Sequence, residues 1–495
     1  MLVLGTSSHV GKSTVVAGLC RLLSDEGYEV APFKAQNMSN NSWVTSEGGE
    51  IGISQAVQAW AARKEPSVEM NPVLLKPKGD GVSQVVLLGD VHGDRETGEY
   101  YDEFDEMRRH AKEAYERLAD ENDVVVAEGA GGAAEINLQD RDLSNTETAR
   151  FADSPVVLVA DIERGGVFAS VYGTLELLPN DIRENVKGVI INKFRGSLDV
   201  LEPGLEELED LTGVRVLGVL PYTDLGLPSE DSLSIDDKPA SEDRYDDGEA
   251  EVAVVRLPRI SNFTDFEPLE REERVKVRYV DLADSLGDPD AVIIPGTKNT
   301  VDDLVSLKET NLFNEIRSYD GVVVGVCGGF QMLGEWVVDE GNESVDDETQ
   351  RIEGLGLVPV RTRFDSSESG YADDRRKTTR QVELRATGDG LLSDFEGTVE
   401  GYEIHMGETD EVGESPGLES AFGHDGVVTD RVLGTYLHGL FSNDGFRDAF
   451  VDAIGGCSES SSSPDSDPYD DAARLLRENI DTQAIIKMAE SEKAE

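Results

Sequence analysis

Two segments of this 495-residue chain combine residue types that do chemistry with the spacing that chemistry needs. One is GTSSHVGKST, Gly5 to Thr14, which follows the apolar Leu2-Val3-Leu4 and precedes a helical pattern from Val15 to Leu23. Strand, glycine loop and helix in that order make a phosphate-binding loop. Backbone N–H groups and the positive helix end hold phosphate oxygens, Lys12 reaches the outer phosphates, and Ser13 ligates Mg²⁺. Gly11 and Thr14 complete the expected ATP-binding set. Five residues separate Gly5 from Gly11 where the common pattern has four, so the loop is a variant one. Three apolar residues make a short first strand, and the expectation is that further residues precede Met1. Glu128, at the end of the predicted strand Asp123 to Ala127, and Glu50 are the expected further magnesium ligands, since carboxylates are hard oxygen donors.

The second segment is VVVGVCGGFQMLGEW, Val322 to Trp336. It sets Cys327 between a buried strand and a helix, with Gly325 before it and Gly328-Gly329 after. Glycine neighbours permit the strained turn that displays a nucleophile, and a helix amino terminus favours thiolate. A thiolate that attacks a carbonyl needs an acid–base partner and donors for the oxyanion. Of the six histidines, His438 in GTYLHGLF follows an apolar strand-like run and precedes a glycine, which suits display at a strand end. His405 in YEIHMG is the competitor and is assigned to structure or substrate contact. The expected oxyanion donors are the N–H of Gly328 and one from the turn Pro295-Gly296-Thr297. Gln331, one helical turn after Cys327, is expected to face the same pocket.

The elements that must position these groups are legible as apolar runs. Asp123 to Ala127, Val156 to Ala160, Gly188 to Ile191 and Val214 to Leu220 read as strands alternating with helices, hence a mostly parallel sheet covered on both faces. Residues 229–250 turn polar and acidic without periodicity and read as a linker. A second series follows, with strands Val252 to Arg256, Ala291 to Ile294 and Gly321 to Val326 and an antiparallel portion from about Arg351 to His405. After Cys457 comes a serine-rich acidic stretch, then one predicted helix from Ala472 to about Glu490.

Asp and Glu number 101 against 45 Lys plus Arg, a formal net charge of −56. No basic stripe is available to displace counterions from nucleic acid, which excludes binding of that kind. The buried-strand runs exclude a disordered acidic chain. With 15 Lys against 30 Arg and acidic residues spread over the whole length, the surface suits a salt-adapted protein. Three cysteines, Cys20, Cys327 and Cys457, can build neither a disulfide framework nor a Cys-x-x-Cys metal site, so the expected location is cytoplasmic. No apolar stretch approaches the roughly 18 residues of a membrane span, and no export signal opens the chain.

Further blocks, in order, are KAQNMSNNS from Lys34, MNPVLLKPKGDG from Met70, EGAGGAAEINL from Glu128, DIERGGVFAS from Asp161, VKGVIINKFRG from Val186, ISNFTDFEPL from Ile260 and IPGTKNT from Ile294. With the loop and the cysteine segment, they make the chain resemble the cobyric acid synthase family nearly end to end. The resemblance implies an α/β protein in which a P-loop parallel-sheet domain is followed by a flavodoxin-like class I glutamine amidotransferase domain. Residues 1–228 would form a dethiobiotin-synthetase-like ATP-binding amidoligase domain, 229–250 the linker, 251–450 the glutaminase domain, and 451–495 the acidic serine-rich segment with its helix. Dethiobiotin synthetases use the same lengthened loop.

Carried over by position, Cys327 matches the nucleophile and His438 its partner. Lys34 resembles the dethiobiotin synthetase lysine that neutralises charge near the transferred phosphate, and Asn192 is expected to read the adenine edge. The chain departs from the wider glutaminase class at Leu440, where a Glu would orient the histidine. The implied reaction is ATP- and glutamine-dependent amidation of the b, d, e and g carboxylates of adenosylcobyrinic acid a,c-diamide. Its small-molecule partners are glutamine, ATP with Mg²⁺, and a cobalt corrinoid that is substrate rather than cofactor. No nucleic acid and no membrane is implied, and the sequence specifies no oligomeric state. The alternatives are cobyrinic acid a,c-diamide synthase, against which KAQNMSNNS speaks, and a non-catalytic ATP-binding switch with a pseudo-glutaminase, motivated by the missing Glu.

Overall fold

A computed structural model describes residues 1–79, 81–228, 250–344, 349–364, 377–393, 395–413, 418–423, 425–456 and 467–491. The acidic linker, apart from its last residue, and the serine-rich stretch after Cys457 lie outside the described residues.

The first half is built on a six-stranded parallel sheet in the order Val216–Pro221, Val186–Phe194, Val156–Asp161, Leu2–Gly5, Val124–Glu128, Val30–Phe33. Its central strands are runs of Val, Leu and Ile buried on both faces, the pattern of a parallel sheet covered by helices on each side. Two apolar layers flank it, one under the helix Lys12–Asp25 and one under the helix Phe104–Glu121. Beyond the strand Val30–Phe33, the chain forms a four-stranded ribbon from Gln36–Met38, Val73–Gly79, Val82–Leu87 and Asp90–Glu96. The sequence reading did not foresee this ribbon.

The second half carries a seven-stranded sheet ordered Val275–Asp281, Ala250–Arg256, Ala291–Ile294, Val322–Val326, Val432–Thr435, Asp425–Val428, Glu419–Phe422. The first five pair in parallel and the last two are antiparallel. The expected antiparallel portion forms two small sheets. One contains Trp336–Glu340, Thr349–Glu353, Val360–Phe364 and Glu408–Glu411, and the other Thr378–Arg385, Thr398–His405 and Leu437–His438.

The carboxy-terminal segment returns to the first half. Where one helix was expected there are two, Pro468–Asn479 and Thr482–Ser491, separated at Ile480 by an antiparallel bridge to Gly218 at the sheet edge. The helix Pro468–Asn479 lies across Lys12–Asp25, with Leu476 and the Ala472 carbonyl against Gly18 and Arg21 bonded to Asp467 and Asp470. The helix behind the phosphate loop is thereby clamped by the far end of the chain.

Candidate active sites

Cys327 ends the strand Val322–Val326 with φ 52° and ψ −110°, a conformation that β-carbon sterics disfavour and that marks a strained turn. Two contacts hold it there. Its N–H donates to the Thr435 carbonyl at 2.8 Å, and a β-carbon on Gly329 would overlap the Ile294 carbonyl, so the helix Gly328–Leu333 sits directly on the neighbouring strand. The sulfur lies 3.3 Å from the Ile404 carbonyl oxygen.

His438 faces the same place from the two-residue strand Leu437–His438, and both side chains line one cavity. Its Nδ1 is 2.7 Å from Asp265 Oδ2, and the other carboxylate oxygen accepts the Gly439 N–H at 2.9 Å. Asp265 sits in the short helical turn Phe263–Phe266 within ISNFTDFEPL. The carboxylate that Leu440 cannot supply therefore comes from another part of the fold. Burial pushes the imidazole down, but the charge and hydrogen bond of Asp265, with Cys327 nearby, prevail and hold it up at about 10. His405 differs: burial brings it down to about 4, and it stacks on Tyr436 with centroids 3.8 Å apart. It lines the cavity as a neutral ring.

The expected oxyanion donors are adjacent. Gly328 opens its helix, so its N–H has no helical acceptor, and a β-carbon on it would stand 3.2 Å from the Thr297 nitrogen. Gly296 lies against the His438 ring, where a β-carbon would come within 3.1 Å of Cε1. Gln331 lines the cavity with its amide bound on both ends, donating to the Met406 carbonyl at 2.8 Å and accepting from Thr300 Oγ1 at 2.7 Å.

The cavity around Cys327 is not built by the second half alone. Lys76, from the strand Val73–Gly79, lines it with Lys298, Glu343 and Lys377. Glu50, expected as a magnesium ligand, lies beside this cavity against two of those lysines. It is buried between the ammonium groups of Lys76 and Lys377, one on each carboxylate oxygen. Burial alone would raise its pKa, but the two lysines hold it well below the usual carboxylate range. Other contacts close the same junction: Ser42 N–H donates to Asn262 Oδ1 at 2.9 Å, Gln381 to the Val44 carbonyl at 2.9 Å, and Trp43 meets Tyr402 edge-on at 4.6 Å. Tyr402 in turn stacks on His438 at 5.3 Å.

At the phosphate loop, Gly11 takes φ 92° and leads into the helix Lys12–Asp25, which places Ser13 and Thr14 in its first turn. Lys12 Nζ donates to the carbonyls of Ser7 at 3.1 Å and Gly131 at 2.9 Å. Ser13 Oγ donates to Glu128 at 2.9 Å, and Lys34 Nζ reaches the same oxygen at 3.1 Å, while Gln58 holds the other. Ser13 and Glu128 thus present hard oxygens side by side, a donor set that fits Mg²⁺. Asn192 also lies at the loop: its amide donates to the Val10 carbonyl at 2.9 Å and its oxygen accepts the Lys193 N–H at 2.8 Å. The first of these contacts ties it to the phosphate loop.

Sequence reasoning missed Asp265, Lys76, Lys377, Lys298 and Glu343. Asp265 lay within a quoted block, but nothing in its local spacing pairs it with a histidine.

The chain matches two family models, the CobQ/CobB/MinD/ParA nucleotide binding domain over residues 1–232 and the CobB/CobQ-like glutamine amidotransferase domain over 251–446. It is 52% identical to a probable cobyric acid synthase of Methanosarcina mazei, covering 99% of each chain. It is 55% identical to that of Methanocella arvoryzae, again over 99% of each. Identity to the probable cobyric acid synthase of Halobacterium salinarum is 49%, over 98% of this chain and 97% of that one.

Proposed function

The chain belongs to the cobyric acid synthase family, and from that premise we propose that it amidates the b, d, e and g carboxylates of adenosylcobyrinic acid a,c-diamide, with glutamine as nitrogen source and ATP as activator. At the second-half site, Cys327 sulfur attacks the glutamine amide carbon. The N–H groups of Gly328 and Thr297 stabilise the oxyanion, and His438 gives its proton to the departing ammonia. Water then hydrolyses the thioester to glutamate. Asp265 orients the imidazole and stabilises its charged form until that proton is given up.

At the loop, a corrinoid carboxylate oxygen attacks the γ-phosphorus and ADP leaves, giving an acyl phosphate. Ammonia displaces the phosphate to form the amide. Lys12 and Lys34 offset phosphate charge, and Ser13 with Glu128 would hold Mg²⁺, which supplies further neutralisation when bound. Cobalt arrives with the substrate. A cytoplasmic setting is part of the proposal; among the described residues no helix is long and apolar enough to cross a membrane.

The observation that carries this reading is the continuity of the two sites. Glu50, bonded to the cavity-lining Lys76 and Lys377, is followed by the helix Ile53–Ala61, whose Gln58 grips Glu128 beside the phosphate loop. The pseudo-glutaminase alternative loses its motive, because Asp265 occupies the role left open at Leu440. Incubation with the diamide, ATP and glutamine tests the proposal by product mass. Four successive exchanges of OH for NH₂, each lowering the mass by about one dalton, are expected; a product changed only at the a and c positions of an earlier precursor would favour the diamide synthase.

A further inference from the structure

Two charged side chains of the Cys327 cavity take no part in the relay. Lys298 and Glu343 both line it, and they are 8% and 5% exposed. Lys298 directly follows the oxyanion donor Thr297, and its N–H is anchored to the Arg259 carbonyl at 3.0 Å. Glu343 is fixed as firmly: its N–H donates to Asp339 at 3.1 Å, and its carboxylate accepts the Thr300 N–H at 3.1 Å.

The neighbouring lysines each contact a carboxylate, Lys76 and Lys377 sharing Glu50 and Lys78 pairing with Asp94. The Lys298 ammonium forms no salt bridge among the described residues. Burial draws it down to about 7 against the pull of Glu343, and burial raises the Glu343 carboxyl. One cation and one anion are thus buried at the cavity with no salt-bridge partner among the described residues, an arrangement costly unless something charged enters between them.

Free glutamine has that complement. With its amide carbon at Cys327, its α-ammonium and α-carboxylate lie only a few bonds away and must meet groups in the same cavity. We propose that Lys298 binds the α-carboxylate of glutamine and Glu343 its α-ammonium, so that the pair selects the free amino acid over other primary amides. The proposal rests on the reading of this cavity as a glutaminase.

The test compares kcat/KM for ammonia release from three amides: glutamine, glutaminamide, which lacks the α-carboxylate, and glutaramate, which lacks the α-ammonium. Wild-type protein is expected to prefer glutamine to either analogue by about 100-fold or more, since a buried charge left unpaired by the substrate is strongly penalised. Lys298→Met should lose most of that factor toward glutamine and little toward glutaminamide. Glu343→Gln should lose it toward glutamine and little toward glutaramate, and Lys298→Arg should keep the preference. Equal losses on all three amides would assign both residues a structural role and overturn the proposal. If circular dichroism shows the Met and Gln variants unfolded, the wild type decides: comparable rates for glutamine and both analogues overturn it. No ammonia from glutamine under any condition would instead overturn the glutaminase reading itself.

Discussion

Asp265 stands 173 positions before His438 in the chain and 2.7 Å from its Nδ1. The pair converts a buried imidazole, which burial alone would strip of its proton, into one that keeps it up to about pH 10. A histidine with a raised pKa contributes stability that is complete below its ordinary value of 6.5 and is lost as pH rises through about 10. Asp265→Asn should therefore bring the alkaline limb of glutaminase activity down toward neutrality and lower kcat by about 100- to 10,000-fold. A pH–rate profile for the variant that overlies the wild type would remove Asp265 from the relay.

Cys327→Ala should abolish glutamine use while amidation supported by added ammonia continues, since only the nitrogen supply is lost. Parallel assays with glutamine and with ammonium salts read the two separately. Failure of ammonia to rescue the variant would count against the division of labour between the halves.

Lys12→Ala removes the ammonium that the helix Lys12–Asp25 presents at the loop, where it spans the Ser7 and Gly131 carbonyls. Both ammonia- and glutamine-supported amidation should fall to background, because activation of the acid precedes either. Appreciable product from this variant would place the phosphate site elsewhere.

Glu50→Gln leaves Lys76 and Lys377 buried without their counter-charge, and removing one member of a buried ion group costs about 3–5 kcal/mol. The denaturant midpoint should fall accordingly. Because the wild-type carboxylate is held below its ordinary 4.5, its contribution is present above that pH and is lost as pH falls through the lower folded value. The stability gap between variant and wild type should thus be widest near neutrality and shrink in acid. A gap independent of pH would argue against the ion group.

An even acidic surface, 101 carboxylates against 45 basic groups, repels itself when screening is weak. Melting temperature and activity should rise together as KCl is raised to molar levels. An optimum near about 0.1 M would contradict salt adaptation.

Where local pattern determines an element, the sequence was sufficient. Ala291–Ile294 has in the structure the bounds read from its apolar run, and Cys327 adopts the strained turn its glycine neighbours imply. The misses share a cause, which is that the partner lies far along the chain. The ion group around Glu50 went unread because its lysines are 26 and 327 positions away. The carboxy-terminal helix looked continuous because its break depends on pairing with Gly218. The ribbon through Val73–Gly79, Val82–Leu87 and Asp90–Glu96 went unread since Pro77, Gly79, Gly81, Gly89 and Gly93 interrupt its alternation.

The sharpest measurement follows the nitrogen itself. Amide-labelled heavy-nitrogen glutamine is supplied with ATP and the diamide in the presence of excess unlabelled ammonium, and the isotope content of the product amides is read by mass spectrometry. Transfer between the Cys327 cavity and the phosphate loop predicts product carrying the heavy isotope at nearly every new amide. Product whose label matches the bulk ammonium pool would show that nitrogen escapes to solvent and that the two centres do not cooperate.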